Sequence, residues 1–182
     1  MNDELRQAVS SAIACEANTG VPAELLVAQF GLESGWGKHM PGNNCFGIKE
    51  YAGAFGRQLL QTHEWFTEAE LARFLAGDAA RTAEPTGQSN VLRKEYAVRD
   101  WFATFRSLAA CFDRRAQLFL AGRYKPFADQ YLKDGDAETL IRGIAPIYAT
   151  APGYADTLLQ LVSQKNIQTV LAQLRGSNEA DA

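Results

Sequence analysis

The chain has 182 residues, of which 47% are hydrophobic and 21% charged, with a net charge of −3 and a pI of about 5.4. This is the balance of an ordinary globular domain long enough to bury its own core. An acidic balance excludes nucleic acid as the main partner, because phosphate binding needs a basic footprint, and no apolar run is long enough for membrane insertion.

In chain order, Leu5, Ala8, Val9, Ala12 and Ile13 recur at helical spacing, and Asn18-Thr19-Gly20 stops that helix. Pro22, a good first-turn residue, opens a second helix that runs to Glu33 and is ended by Gly35 and Gly37. From about residue 40 to 99 glycines recur and short β-compatible runs appear at residues 45–49, 59–65 and 96–98. Within this stretch Thr67-Glu68-Ala69-Glu70 is a capping box for a short helix that Gly77 stops. Residues 77–90 read as a long polar loop, so the whole region reads as a small β lobe with a mobile insertion. After Ser107, the residues Leu108, Cys111, Phe112, Arg115, Leu118 and Phe119 form one helical stripe, stopped by Gly122. Asp136 caps a helix through Ile144, and a last helix from Tyr154 breaks near Asn166. These elements predict an α+β fold: one domain over residues 1–175 and a disordered tail over residues 176–182.

Cys15, Cys45 and Cys111 are odd in number and widely spaced, which fits neither a disulfide framework nor a zinc site. Cys15 and Cys111 lie in apolar helical runs and read as small core residues. Free thiols and an N-terminus without a basic-then-apolar leader predict synthesis in the cytoplasm without a signal peptide.

The residue that draws attention is Glu33. It lies three residues after Phe30 and seven after Leu26, on their apolar face, in the last turn of its helix. The negative end of the helix dipole and partial burial both favour its protonated form, which is what a general acid needs. Gly35 and Gly37 flank Trp36, whose flat face suits stacking against a sugar ring, although a packing role in the core fits the same pattern.

The block Ala28-Gln29-Phe30-Gly31-Leu32-Glu33-Ser34-Gly35-Trp36-Gly37, followed by Asn43-Asn44-Cys45-Phe46-Gly47-Ile48-Lys49, resembles the glucosaminidase family of peptidoglycan hydrolases (glycoside hydrolase family 73). That family includes the flagellar rod-associated muralytic domain, autolysins and phage lysins. The resemblance continues at Thr62-His63-Glu64-Trp65 and in residues 99–107. It closes with Tyr148-Ala149-Thr150-Ala151-Pro152-Gly153-Tyr154, covering about residues 20–161. It implies a lysozyme-like fold, a helical body and a β lobe with a substrate groove between them. It implies Glu33 as general acid, Glu64 as the second carboxylate and Tyr148 as a residue that orients the reacting sugar. Asn43, Asn44, Phe46 and Gly47 then match the block that shapes the cleft floor, with Trp36 and Tyr154 as further substrate contacts. The chain departs from the family pattern at Cys45 (often Leu or Met), Ala151 (often Asp), Trp65 (usually Tyr) and in its long insertion over residues 66–90.

The resemblance implies a monomeric enzyme that cuts β-1,4 bonds between N-acetylglucosamine and N-acetylmuramic acid in glycan strands, as a glucosaminidase rather than a muramidase, with neither metal nor cofactor. Without a leader, it would reach the wall by holin-type release or through a secretion apparatus, or be an excised domain of a larger protein. Two rival readings stand beside it. One is a cysteine peptidase on wall peptides using Cys45 and His63, since Cys45 follows an Asn/Gly loop that would expose it. The other is a non-catalytic wall-binding module of a phage particle or secretion machine. Metal hydrolysis through His39 and His63 lacks ligand spacing. Glu50 and Glu95 are lesser candidates for the second acid; Arg106 and Asp113 read as structural.

Overall fold

The first helix, α1 (Asp3–Thr19), buries Ala8, Val9, Ala12 and Cys15 on one face, as its periodicity predicts. The coordinates are a computed structural model that describes residues 3–148 and 153–180, the last four by backbone alone. The chain divides into two units, Met1–Phe46 with Arg106–Ala182, and Gly47–Phe105.

After Pro22, α2 (Ala23–Ser34) is buried on nearly every side, with Leu25, Leu26, Val27, Ala28, Gln29 and Phe30 each at most 1% exposed. A helix apolar all round is a central core helix. Its exit is built by Ser34, Gly35, Trp36 and Gly37. The Ser34 hydroxyl donates to the Phe30 carbonyl and accepts from the Gly37 amide. Gly35, Trp36 and Gly37 all take positive φ (58°, 61° and 87°). For Trp36 the left-handed region costs on the order of 1–2 kcal/mol. That cost is offset where the indole lies flat on Gly31: a Cβ there would stand 2.5 Å from the ring. Glycine at position 31 is therefore what lets the tryptophan close over the helix.

The smaller unit is a three-stranded antiparallel sheet in the order β1-β3-β2. Central β3 (Lys94–Thr104) pairs along its whole length with β1 (Gly56–Phe66), and more briefly with β2 (Thr82–Ser89). Between β1 and β2 lies α3 (Glu68–Ala76), closed by the expected capping box of Thr67 and Glu70, with Gly77 at its end. Two expectations are corrected here. Residues 77–90 are not one long loop, because β2 occupies most of them. Its sequence, Thr-Ala-Glu-Pro-Thr-Gly-Gln-Ser, is polar and almost wholly exposed, so it carries no apolar alternation to read. Backbone pairing to β3 holds it, with Pro85 tolerated on an edge strand and a register shift after it. Residues 45–49 form no strand; only Lys49 bridges, to Phe102.

The chain then returns to helices: α4 (Leu108–Phe119), capped by the Ser107 hydroxyl, and α5 (Lys125–Asp134), which the sequence reading did not anticipate. Next, α6 (Ala137–Tyr148) is capped as expected by Asp136, which accepts from the amides of Glu138 and Thr139, but it runs beyond Ile144. Finally come α7 (Tyr154–Val162) and α8 (Lys165–Ala180). In the region of the expected tail the backbone of α8 runs past Gly176 to Ala180, and residues 181–182 lie outside the described chain. Arg175 ties α8 to Glu16 of α1 and Glu24 of α2 at 2.6 and 2.8 Å. Phe30, Phe112, Phe119, Leu140, Ile144, Leu158 and Leu171 fill the core of the helical unit. Among the described residues no helix is long and apolar enough to cross a membrane.

Candidate active site

Glu33 occupies the last turn of α2, one residue before the buried Ser34 that anchors the left-handed exit. It is exposed, so the partial burial expected of it is not found. What meets it instead is a pair of phenols. The Tyr154 hydroxyl, at the start of α7, donates to Glu33 Oε1 at 2.9 Å. Tyr148, at the end of α6, stacks on Tyr154 with ring centroids 5.3 Å apart, tilted by 43°. Burial pushes the Tyr148 phenol up to about 12; the Arg115 guanidinium opposes this, and the neighbouring Glu33 carboxylate adds to it. Burial and Glu33 push Tyr154 up as well. Both phenols therefore keep their protons at neutral pH and can act as donors.

Behind the tyrosines lies a polar seam in an apolar core. Gln29, one turn before Glu33 and fully buried, donates from Nε2 to the Tyr154 oxygen at 3.2 Å. Arg115 of α4, 3% exposed, donates from Nε to Gln29 Oε1 at 3.1 Å. Its guanidinium lies 4.1 Å from the Tyr148 ring centroid and 4.5 Å from that of Phe119, a cation–π arrangement that shields the charge. Neither Gln29 nor Arg115 was picked out as functional from sequence. A signal was there in both: a glutamine inside the apolar run of α2, and an arginine inside an apolar stripe.

The other expected residues fall elsewhere. Glu64, on β1, is bound by Lys49 Nζ at 2.8 Å, and the same ammonium lies 2.8 Å from Asp100. Burial opposes ionisation of Asp100, yet the hydrogen bond and charge of Lys49, with the Trp101 amide and Arg81, hold its carboxyl below the ordinary range. Glu50 pairs with Arg57, and Glu95 accepts from the Thr86 hydroxyl. Trp36 packs on Gly31 and, with Leu5, Val9, Val27, Ile167 and Val170, lines an apolar cavity of about 410 Å³. Gly31 is two residues from Glu33, about 200° round a helix, so the indole lies away from the Glu33 carboxylate. Phe46 is 2% exposed and meets Phe112 edge-on at 4.9 Å, and Asn44 is 5% exposed; both are interior residues. Asn43 is exposed with φ 59°, and Gly47 is exposed with φ 61°. In the closing block, residues 149–152 lie outside the described chain.

Cys45 corrects an expectation outright. It is 1% exposed, and its Sγ lies 3.6 Å from the Sγ of equally buried Cys111. Burial, reinforced by the Cys111 sulfur, pushes its thiol far up. A buried, neutral thiol is no nucleophile, and the cysteine-peptidase reading falls with it. Cys15 and Cys111 are core residues, as expected.

A mainly helical chain with a small three-stranded antiparallel sheet has the fold of a lysozyme-like glycoside hydrolase. The glucosaminidase family, described as mannosyl-glycoprotein endo-β-N-acetylglucosaminidase, matches residues 9–167, and the chain belongs to that family. Among solved structures it is similar to a mutant of a peptidoglycan hydrolase from Sphingomonas sp. A1 (26% identity, 93% of this chain and 97% of that one, TM-score 0.63). It is also similar to the catalytic domain of the autolysin Auto from Listeria monocytogenes (18% identity, 93% and 89%, TM-score 0.62). A third is the truncated glycoside hydrolase domain of FlgJ from Salmonella typhimurium (24% identity, 89% and 95%, TM-score 0.54). No curated protein matches the chain.

Proposed function

We propose that this protein cleaves the glycan strands of peptidoglycan at β-1,4 bonds between N-acetylglucosamine and N-acetylmuramic acid, acting as a monomeric endo-β-N-acetylglucosaminidase with Glu33 as general acid. The observation that carries the reading is the placement of Glu33: exposed at the end of α2, with one carboxyl oxygen held by Tyr154 at 2.9 Å. The names of the similar structures, a peptidoglycan hydrolase and an autolysin, support peptidoglycan as the substrate.

Glu33 protonates the leaving glycosidic oxygen, and positive charge develops at the anomeric carbon. The charge is answered by Glu64 activating water, by Glu64 attacking directly, or by the substrate's own acetamido oxygen. Lys49 keeps Glu64 paired on its strand. Tyr148, beside Glu33 and backed by Arg115, is suited to orient the sugar. Asn43 and Gly47 are the exposed members of the cleft-floor block.

The test is clearing of purified sacculi by wild type and Glu33→Gln. Loss of clearing on the order of 100-fold or more is expected for loss of a general acid; clearing at the wild-type rate would sink the assignment. Borohydride reduction of the products followed by mass spectrometry identifies the cut. Reduced N-acetylglucosamine ends support the glucosaminidase reading, and reduced N-acetylmuramic acid ends overturn it in favour of a muramidase.

A further inference from the structure

The seam behind Glu33 has a direction. Arginine has donors and no acceptor, so the Nε–H of Arg115 must give its hydrogen to Gln29, and the atom that receives it is the amide oxygen, at 3.1 Å. With its oxygen committed to Arg115, Gln29 presents its NH₂ to Tyr154, and an NH₂ only donates. The Tyr154 oxygen therefore accepts from Gln29, and its own hydrogen is directed to Glu33 Oε1, 2.9 Å away. Each amide and hydroxyl orientation follows from the donor before it, back to a group that cannot reverse. Tyr148, the other phenol facing Glu33, can rotate its hydrogen either way and imposes no direction.

We infer that the Arg115–Gln29–Tyr154 chain fixes which oxygen of Glu33 carries the catalytic proton: Oε1 is held as an acceptor, and the proton resides on Oε2. Gln29 and Arg115 are thus positioning residues for the acid. They touch no substrate, and they act by denying the proton a seat that points back into the protein. The inference rests on the general-acid assignment of Glu33 proposed above. It also accounts for a fully buried glutamine and a buried arginine in helices whose other buried side chains, Ser34 apart, are apolar.

The decisive variant is Gln29→Glu, which keeps the shape of the side chain and reverses the chain. The new carboxylate pairs with Arg115 and accepts from Tyr154, whose oxygen then faces Glu33 as an acceptor. The proton of Glu33 is drawn to Oε1, away from substrate. Tyr154→Phe and Gln29→Met break the chain without reversing it and leave the proton free to sit on either oxygen. The measurements are kcat and KM on soluble glycan fragments against pH, with thermal melts for each variant.

Reversal is expected to harm more than deletion. Gln29→Glu should lower kcat on the order of 10–100-fold, within the range of a general acid's contribution, with KM little changed. Tyr154→Phe and Gln29→Met should lose a few-fold. A Gln29→Glu enzyme that melts like wild type and is no slower than Gln29→Met overturns the inference. Should Gln29→Glu fail to fold, a Tyr154→Phe enzyme with wild-type kcat overturns it equally. Glu33→Gln, run alongside, separates the two levels: if it stays active, the general-acid reading has failed rather than the direction of the chain.

Discussion

Lys49 and Asp100 are joined at 2.8 Å, but only one of them is buried: the Asp100 side chain is 9% exposed and that of Lys49 44%. The asymmetry decides who depends on whom. Lys49 can turn to water; Asp100 cannot, and keeps only Arg81 and the Trp101 amide if Lys49 is lost. Lys49→Met should therefore destabilise the sheet unit by about 1–3 kcal/mol, the cost of an under-satisfied buried group.

The pH dependence has a definite sign. The Asp100 carboxyl is held below its ordinary range in the folded protein. Its contribution is then fully present above the unfolded value of about 3.9 and is lost as pH falls through the folded value. The difference in melting temperature between wild type and Lys49→Met should narrow below about pH 4, where protonated Asp100 no longer needs the ammonium. A gap of constant size from pH 7 to pH 3 would contradict this.

The three cysteines should be silent in the native protein. Burial raises the Cys15 thiol to about 11 and Cys45 further still, so both stay neutral at pH 8. Burial also opposes ionisation of Cys111, but its contacts with Cys45 hold that thiol below its ordinary value, and it is its complete burial that keeps it out of reach. Iodoacetamide at pH 8 should leave the folded protein at its unmodified mass and add three adducts in denaturant. Cys45→Ala should clear sacculi at the wild-type rate, at a stability cost of about 1–2 kcal/mol for a truncated buried side chain. Rapid labelling of Cys45 in the folded state, or loss of clearing in that variant, would revive a thiol mechanism.

Most helices were legible because each of them shows one apolar face and a recognisable end: Thr67 with Glu70, Ser107 and Asp136 all cap where their side chains predict. The strand β2 was not legible, because it contributes backbone hydrogen bonds rather than buried side chains, and those leave no trace in the pattern of polarity. Of the proposed site, Glu33 is the residue that its motif and the resemblance single out. Tyr148 and Tyr154 were legible through the same resemblance; Gln29 and Arg115 behind them were legible only as anomalies, since the contact from Gln29 to Tyr154 spans 125 residues and nothing local encodes it. Trp36 differs again: a flat aromatic between glycines reads as a sugar platform, while the contact that seats it is with Gly31, five positions earlier, which no local pattern announces.

That seat is testable. In Gly31→Ala the new methyl would lie 2.5–2.7 Å from three indole atoms, an overpacking expected to cost about 1–3 kcal/mol. The melting temperature should fall, and Trp36 emission, taken as the difference from Trp36→Phe, should shift to the red as the ring is pushed outward. Trp36→Phe itself should lower the melting temperature and leave KM for glycan fragments unchanged. A raised KM with unchanged stability would return Trp36 to the substrate.

The docking of α8 sets a charged clamp against an apolar contact. Arg175 reaches Glu16 and Glu24, while Ile167 and Leu171 are 5% and 0% exposed. The clamp is partly solvated, with the arginine side chain 37% exposed, so water and salt weaken it, and Arg175→Ala should cost no more than about 1 kcal/mol. Leu171→Ala removes a fully buried side chain and should cost about 2–5 kcal/mol. Denaturant melts of the two variants should therefore differ severalfold in their effect. The deficit of Arg175→Ala should shrink between 0.05 and 0.5 M salt as screening weakens the wild-type pair, and that of Leu171→Ala should not. If Arg175→Ala proved the more damaging of the two, α8 would be held by charge rather than by its buried face.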